Sequence, residues 1–356
     1  MKSIEVYLQY PWKFPDSAYY KYLIENHPEG IEYLNTRKQK GVLVNRKMFW
    51  ISNFLKGQIR GTLNFLKISL PNAHLSPKGD YDLIHCAHCL SKNLFKPWVA
   101  DFEVTFQFYI GNKTEAAKKK VREILLRENC KKILPWTKTA ADEIVKEFPE
   151  IESKVEVVYP AMPFPNYKKI EHKGINLLFI GRYFYAKGGL ETLEVFDYLT
   201  KKYDDVYGIC ISAPPEEIVK KFSNNKKIEF YTAIPQEKLF EIYSKADILV
   251  YPGYSDSFGF AFLEAMAFGL PIVTVDGFAR REIVEDGKNG FVIERPEIAW
   301  KINSPPEIQG REETIQKIIE KTETLIKNES LRKIMAQHCI EEIKNGNFQL
   351  KKEIKN

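Results

Sequence analysis

From Ile175 to Val275 the chain alternates strand-like and helix-like segments, and few folds accommodate that alternation. An apolar run, Ile175–Ile180, stops at Gly181, and a helical stretch follows from Gly189 to Lys202. Then come a strand at Val206–Ser212, a helix at Pro215–Phe222, a strand at Ile228–Tyr231 and a helix at Gln236–Lys245. A strand at Ile248–Tyr251, a helix at Phe258–Phe268 and a strand at Ile272–Val275 complete the series. Strands separated by helices pair in parallel through right-handed crossovers, so this region reads as a doubly wound α/β sheet.

The first half follows the same plan less clearly. Ile4–Gln9, Leu83–Cys86, Val104–Phe108, Lys132–Pro135 and Val155–Tyr159 read as strands, and Thr114–Arg127 as a polar helix. Met48–Leu66 spaces Ile51, Phe54, Leu55, Ile59, Leu63 and Leu66 in a near-helical pattern. Its lysines and arginine, Lys47, Lys56, Arg60 and Lys67, would also suit peripheral contact with anionic lipid, although packing on its own sheet is the simpler role. The proline-rich stretch Tyr159–Pro165 marks a hinge, because proline stiffens a linker and ends a strand. Charged helices at Glu312–Lys327 and Ser330–Lys344 close the chain, with Asn345-Gly346 as the final stop signal. The expected organisation is an N-terminal Rossmann-like domain (1–165), a C-terminal Rossmann-like domain (166–335), and a C-terminal helix and tail (336–356) able to pack back on the first domain.

Composition narrows the function classes. With 44% hydrophobic and 28% charged residues the 356-residue chain is globular, and no apolar run reaches the length of a membrane span. MKSIEVYLQYPW lacks the long apolar core of a signal peptide, so the expected location is the cytoplasm, with peripheral contact at the inner membrane face as an option. Five cysteines fit reduced thiols better than a disulfide framework. His85-Cys86-Ala87-His88-Cys89 has zinc-compatible chemistry but no second ligand pair downstream, so strand-end packing is expected, and no metal or cofactor. Asp80-Tyr81-Asp82 reads as a turn before a strand, not as a metal motif. Residues 1–165 hold 25 Lys and Arg against 18 Asp and Glu, and the remainder holds 28 against 29, so the basic excess is N-terminal. No nucleic-acid motif accompanies that excess, so a nucleic-acid partner is not expected.

The chemistry concentrates between Tyr251 and Leu270. A polar loop leaves a strand there and enters a helix whose first amides (Phe258, Gly259, Phe260) face the crevice of a parallel sheet. Such a helix start favours anions, and Gly259 allows close approach. Asp256 and Glu264 stand eight positions apart, roughly 12 Å along a helix. That separation is too large for the paired acids of a glycoside hydrolase, yet suits one long ligand with hydroxyls at both ends and charge between them. A nucleotide sugar has that shape, with Glu264 on the ribose, Asp256 toward the sugar and the diphosphate across the helix start. Upstream, Arg182 and Lys187 in Gly181-Arg182-Tyr183-Phe184-Tyr185-Ala186-Lys187-Gly188 offer a guanidinium fork and a point charge at the end of the domain's first strand.

These segments resemble retaining, family-4-like (group 1) glycosyltransferases with the GT-B fold. The Asp256–Glu264 stretch is similar to the family's E-x7-E region with aspartate first, and Gly181–Gly188 to its GR–x4–KG signature. Further likeness runs through Ala246–Pro252 and Arg281–Gly290. The resemblance implies two Rossmann-like domains facing a cleft and closing around a nucleotide-diphosphate donor. It also implies transfer with retention, no required divalent ion, and a glycan, lipid-linked or small-molecule acceptor. Arg182, Lys187 and Asp256 would then be catalytic, and Gly181, Phe258, Gly259, Phe260 and Glu264 donor-binding.

The first half departs from the family pattern. Gln9–Pro15 replaces a glycine-rich loop, and no histidine lies in Val104–Phe108, where many members carry one, which leaves His88 as the nearest acceptor-side candidate. Tyr10, Trp12 and Trp98 could stack on sugar rings, but packing beneath the sheet is the simpler role. A nucleotide-sugar epimerase of the same fold, or a donor-binding protein without activity, would share the C-terminal features.

Overall fold

A computed structural model describes residues 3–10, 18–36, 69–232, 234–300 and 305–350. The expected helix Met48–Leu66, Trp12, residue 233, and the tail from 351 lie outside them. The chain forms two compact units that divide between Ala161 and Met162, inside the proline-rich stretch and slightly before the expected boundary at 165.

The first unit is built on a five-stranded parallel sheet: β1 (Ile4–Gln9), β2 (Ile31–Leu34), β3 (Leu83–Ala87), β4 (Trp98–Phe102) and β5 (Cys130–Pro135), in the order β2-β1-β3-β4-β5. Helices α1 (Ala18–Glu25), α2 (Glu115–Leu125) and α3 (Lys138–Glu147) accompany it. The α2 helix starts where Thr114 accepts the Ala117 amide, and it buries Ala117, Val121, Ile124 and Leu125 on one face. Thr137 caps α3 in the same way, accepting the Ala140 amide.

Two expected strands of this unit are corrected. Val104–Phe108 is not a strand: Thr105–Phe108 is a short 3-10 turn, and strand β4 lies just upstream at Trp98–Phe102. The Gln107 side chain accepts from the Glu103 amide, which favours a turn there, while the neighbouring strands claim the buried run Trp98–Phe102. Val155–Tyr159 is not a regular strand either: it runs beside β5 with a bridge from Val155 to Ile133 and amides of Glu156 and Val158 donating to the Ile133 and Pro135 carbonyls, and prolines follow directly.

The second unit carries a six-stranded parallel sheet: β6 (Ile175–Ile180), β7 (Val206–Ile211), β8 (Ile228–Tyr231), β9 (Ile248–Val250), β10 (Ile272–Val275) and β11 (Gly290–Ile293). Its order, β8-β7-β6-β9-β10-β11, is the doubly wound order 3-2-1-4-5-6. The helices are α4 (Gly189–Lys202), α5 (Glu216–Phe222), α6 (Gln236–Lys245), α7 (Phe260–Ala267), α8 (Arg280–Ile283), α9 (Arg311–Lys327) and α10 (Glu329–Asn345). The α10 helix packs on α7 within this unit, where Cys339 donates to the Leu270 carbonyl. Of the 336–356 segment that could pack back on the first domain, the helical part through Asn345 belongs to the second unit, and the tail from 351 lies outside the described residues. All five cysteines are free and buried, and no helix among the described residues is long and apolar enough to cross a membrane.

Candidate functional site

In the second sheet the strand order reverses between β6 and β9, its first and fourth strands. Ligands of such sheets bind in the crevice outside the carboxyl ends at that point. The two loops that leave these strands carry the expected residues: Gly181, Arg182 and Lys187 after β6, and Asp256 and Gly259 after β9. Backbone bonds join the loops, from the Gly253 amide to the Lys187 carbonyl (3.0 Å) and from the Ser255 amide to the Ala186 carbonyl (2.9 Å). Gly188 makes the approach possible. Its φ of 77° is left-handed, and a Cβ there would lie 2.5 Å from the Pro252 ring. A side chain on Gly181 would likewise meet Lys187, at 2.9 Å.

The joined loops converge on Asp256. One carboxylate oxygen pairs with Lys187 Nζ at 3.0 Å, with side chains 15% and 14% exposed, and the other accepts the Tyr251 hydroxyl at 2.6 Å. Lys187 Nζ also donates to the Ser255 carbonyl at 2.9 Å. Burial pushes the Tyr251 hydroxyl well above its usual range, as do the charge and hydrogen bond of Asp256, while Arg280 and Arg182 pull it down. Arg182 is exposed, and its charge reaches this cluster. The structure thus gathers Arg182, Lys187, Asp256 and Gly181 at one crevice.

The helix start differs in detail from expectation. The α7 helix begins at Phe260 rather than Phe258, after Gly259 at φ 87°. A Cβ on Gly259 would lie 2.5 Å from the Phe262 ring, so only glycine fits this cap without strain. Of the first-turn amides, that of Phe262 donates to the Gly259 carbonyl at 2.9 Å. Phe258 puts its ring in the core against Phe260 and Phe348, so only its backbone is suited to a ligand. Glu264 is half-buried one turn into the helix and accepts the Tyr243 hydroxyl at 2.9 Å.

Sequence reasoning missed the arginines beneath the loop. Arg280 is fully buried, donates to the carbonyls of Gly253 (2.6 Å) and Asp256 (3.3 Å), and lies 4.7 Å from the centre of the Phe262 ring. Burial lowers its pKa, and the charges of Asp256 and Tyr251 work the other way. Arg295 holds the Tyr254 carbonyl at 2.8 Å. Their partners are backbone atoms, so no pairing of side-chain types in the sequence pointed to them.

His88 sits in the first unit, immediately after β3, buried and at a left-handed φ of 53°. Its ring meets Gln107 at 3.0 Å, and the fully buried Asp101 of β4 lies beside it. Asp101 accepts the Tyr20 hydroxyl (2.5 Å), pairs with His85 (2.9 Å) and stands 4.0 Å from the His88 ring. Burial alone would raise the Asp101 carboxyl, but His85, His88 and Tyr20 together bring it below its usual value. Asp101, invisible as a site residue in the sequence, is the hub of this network. Trp98 is fully buried in β4, and Asp82 accepts the Glu5 amide at 2.9 Å as part of the turn before β3. Among the described residues no group of three or more His, Cys, Asp or Glu is placed to hold a metal ion.

Known proteins share the fold. The family model "Glycosyl transferases group 1" matches residues 164–341. A D-inositol 3-phosphate glycosyltransferase of Corynebacterium kroppenstedtii is 21% identical over 52% of this chain and 47% of its own length, so the chain spans about half of that relative. HepE of Anabaena, solved with UDP and glucose, superposes with a TM-score of 0.62 at 12% identity, covering 98% of this chain and 96% of that one. A glycosyltransferase from Rickettsia africae superposes at 0.61 with 14% identity, covering 98% and 95%. The fold is that of the GT-B glycosyltransferases. With half the chain under the family model and its motif loops joined at the sheet's switch point, the protein belongs to the group 1 glycosyl transferases.

Proposed function

We propose that this chain transfers a sugar from a nucleotide-diphosphate donor, held in the second unit, to a glycan, lipid-linked or small-molecule acceptor, with retention of configuration. One observation carries the reading: Lys187, Asp256 and Tyr251 form a bonded cluster where two loops meet at the switch point, beside the glycine-capped start of α7. UDP and glucose in the HepE structure add support from a neighbour of the same fold.

In this reading the donor diphosphate lies across the α7 start, between Arg182 and Lys187. Glu264, steadied by Tyr243, takes the ribose hydroxyls, and Asp256 faces the sugar. The bond from the anomeric carbon to the phosphate oxygen breaks, and the acceptor oxygen bonds to that carbon on the same face. The acceptor's proton passes to the departing phosphate oxygen, whose charge Arg182, Lys187 and the Gly259 amide region stabilise. Asp256 neutralises Lys187 before the donor arrives, so the diphosphate would take over part of that partnership. The donor is a co-substrate, and the scheme requires no cofactor or metal ion.

The test is release of free nucleoside diphosphate from UDP-, GDP- and ADP-sugars on addition of candidate acceptors, with the anomeric configuration of the product read by NMR. Nucleotide release that depends on acceptor, with a retained product, is expected. Donor binding without any acceptor-dependent turnover would leave a scaffold, and an inverted product would remove the retaining mechanism.

A further inference from the structure

Beneath the loop that carries Asp256 lies a cation bonded to carbonyls. Arg280 is wholly buried, and its guanidinium serves two loops at once. Nη2 donates to the Gly253 carbonyl at 2.6 Å and to the Asp256 carbonyl at 3.3 Å, both in the loop after β9. Nε donates to the carbonyl of Val275, the last residue of β10, at 3.4 Å. The guanidinium also lies 4.7 Å from the centre of the Phe262 ring, in the first turn of α7. Gly253 makes room for it: a Cβ there, at a left-handed φ of 63°, would lie 2.9 Å from Nη2. Among the described residues no carboxylate pairs with Arg280 directly.

Carbonyl partners alone are a costly arrangement for a charge taken out of water, and a neutral amide could bridge some of the same carbonyls. The surroundings give the charge a use of its own. The acid whose charge bears most on Arg280 is Asp256; Tyr251 and Asp276 act in the same direction, and Arg295 opposes them. The Asp256 carboxylate is held by Lys187 at 3.0 Å and by the Tyr251 hydroxyl at 2.6 Å. In the proposed transfer Lys187 gives part of its contact to the donor diphosphate. That leaves Asp256 short of positive charge just as more negative charge arrives, while three carbonyl bonds keep Arg280 in place.

We infer that Arg280 is a positioning residue of the transfer reaction: it clamps segment 253–256 and stays as the counter-charge of Asp256 when Lys187 turns to the diphosphate. The inference rests on the donor site proposed above. Arg280 acts through Asp256 and touches no substrate, because none of its surface is exposed.

The test titrates the full chain with UDP, GDP and ADP in a calorimeter and follows whichever of the three the wild type binds most tightly. Arg280→Gln should weaken that nucleotide about tenfold, the scale of coupling within one charged network. In an Asp256→Asn background no carboxylate needs the counter-charge, so the same substitution should change affinity by less than about twofold. A purely structural clamp would cost the same in both backgrounds, and equal losses would overturn the inference. Arg280→Lys keeps the charge and gives up the planar fork. It should melt at a lower temperature yet bind the nucleotide within about threefold of wild type. This variant also decides the case if Arg280→Gln does not fold, because a loss of about tenfold with the charge retained would contradict the counter-charge role. Undiminished binding by Arg280→Gln would overturn the inference while leaving the donor site standing. A wild type that binds none of the three nucleotides would remove the donor site, and this inference with it.

Discussion

Both units place charged side chains where strands of a parallel sheet end, but they treat those charges differently. In the second unit Lys187 and Asp256 pair on loops, each still partly open to solvent, and Arg182 is exposed beside them. In the first unit Asp101 and His85 pair beneath the surface, with Asp101 fully buried and shared with Tyr20 and the His88 backbone. An ion pair that keeps some contact with solvent costs less to break than a wholly buried one, so its members can exchange partners with a ligand. A buried one is expensive to open and instead holds structure in place. In the proposed reading, the difference separates a site suited to exchanging partners with a donor from a buried network suited to holding an edge.

The comparison predicts opposite responses to substitution, beginning with the largest. Lys187→Ala should lower kcat/KM by about 10²–10³-fold, the scale for losing a donor that stabilises developing charge. It should cost only about 1 kcal/mol in a denaturation curve, because the pair keeps contact with solvent at the crevice. Unchanged turnover would erase the functional half of the contrast. Asp101→Asn should do the reverse, losing about 3 kcal/mol of stability, as expected when a buried pair is broken from one side. Acid unfolding should also respond. The Asp101 carboxyl lies below its usual value in the folded chain, so its stabilisation is present above the unfolded value and is lost as pH falls through the lower, folded one. Asn at this position should flatten that acid limb, and an unaltered limb would mean that the network does not hold the edge.

Smaller effects sharpen the site itself. Gly259→Ala forces a side chain into a left-handed conformation and against the Phe262 ring, at a cost of about 1–2 kcal/mol. Donor affinity measured by calorimetry should drop with it. Glu264→Gln should weaken the donor about fivefold, with little change in melting temperature, because Tyr243 can still donate to an amide oxygen. Equal donor binding in this variant would remove Glu264 from the ribose.

Much of the second unit was legible in the sequence because its signals are local. Ile175–Ile180, Gly189–Lys202, Ile228–Tyr231, Gln236–Lys245 and Ile272–Val275 form with the ends expected, since each is an apolar run or an amphipathic stretch bounded by turn residues. The neighbourhood of Gly181, Arg182, Lys187 and Asp256 followed from placing their loops at the carboxyl ends of a parallel sheet. In the first unit Trp98–Phe102 was hidden because Asp101 interrupts the apolar run, and only its long-range partners His85 and Tyr20 make that charge tolerable inside. Arg280 was hidden for a related reason: it binds carbonyls 24 and 27 positions away, which no pattern of residue types encodes. The start of α7 slipped by two residues because Gly259 takes a left-handed cap, a backbone choice that Phe262 packing enforces.

The most direct measurement is a crystal structure of the chain soaked with whichever nucleotide-sugar most raises its melting temperature. The account predicts diphosphate oxygens within hydrogen-bonding distance of Lys187 Nζ and of the amides at the start of α7, with the Lys187–Asp256 contact lengthened. A diphosphate bound elsewhere, with Lys187 still held by Asp256, would contradict it.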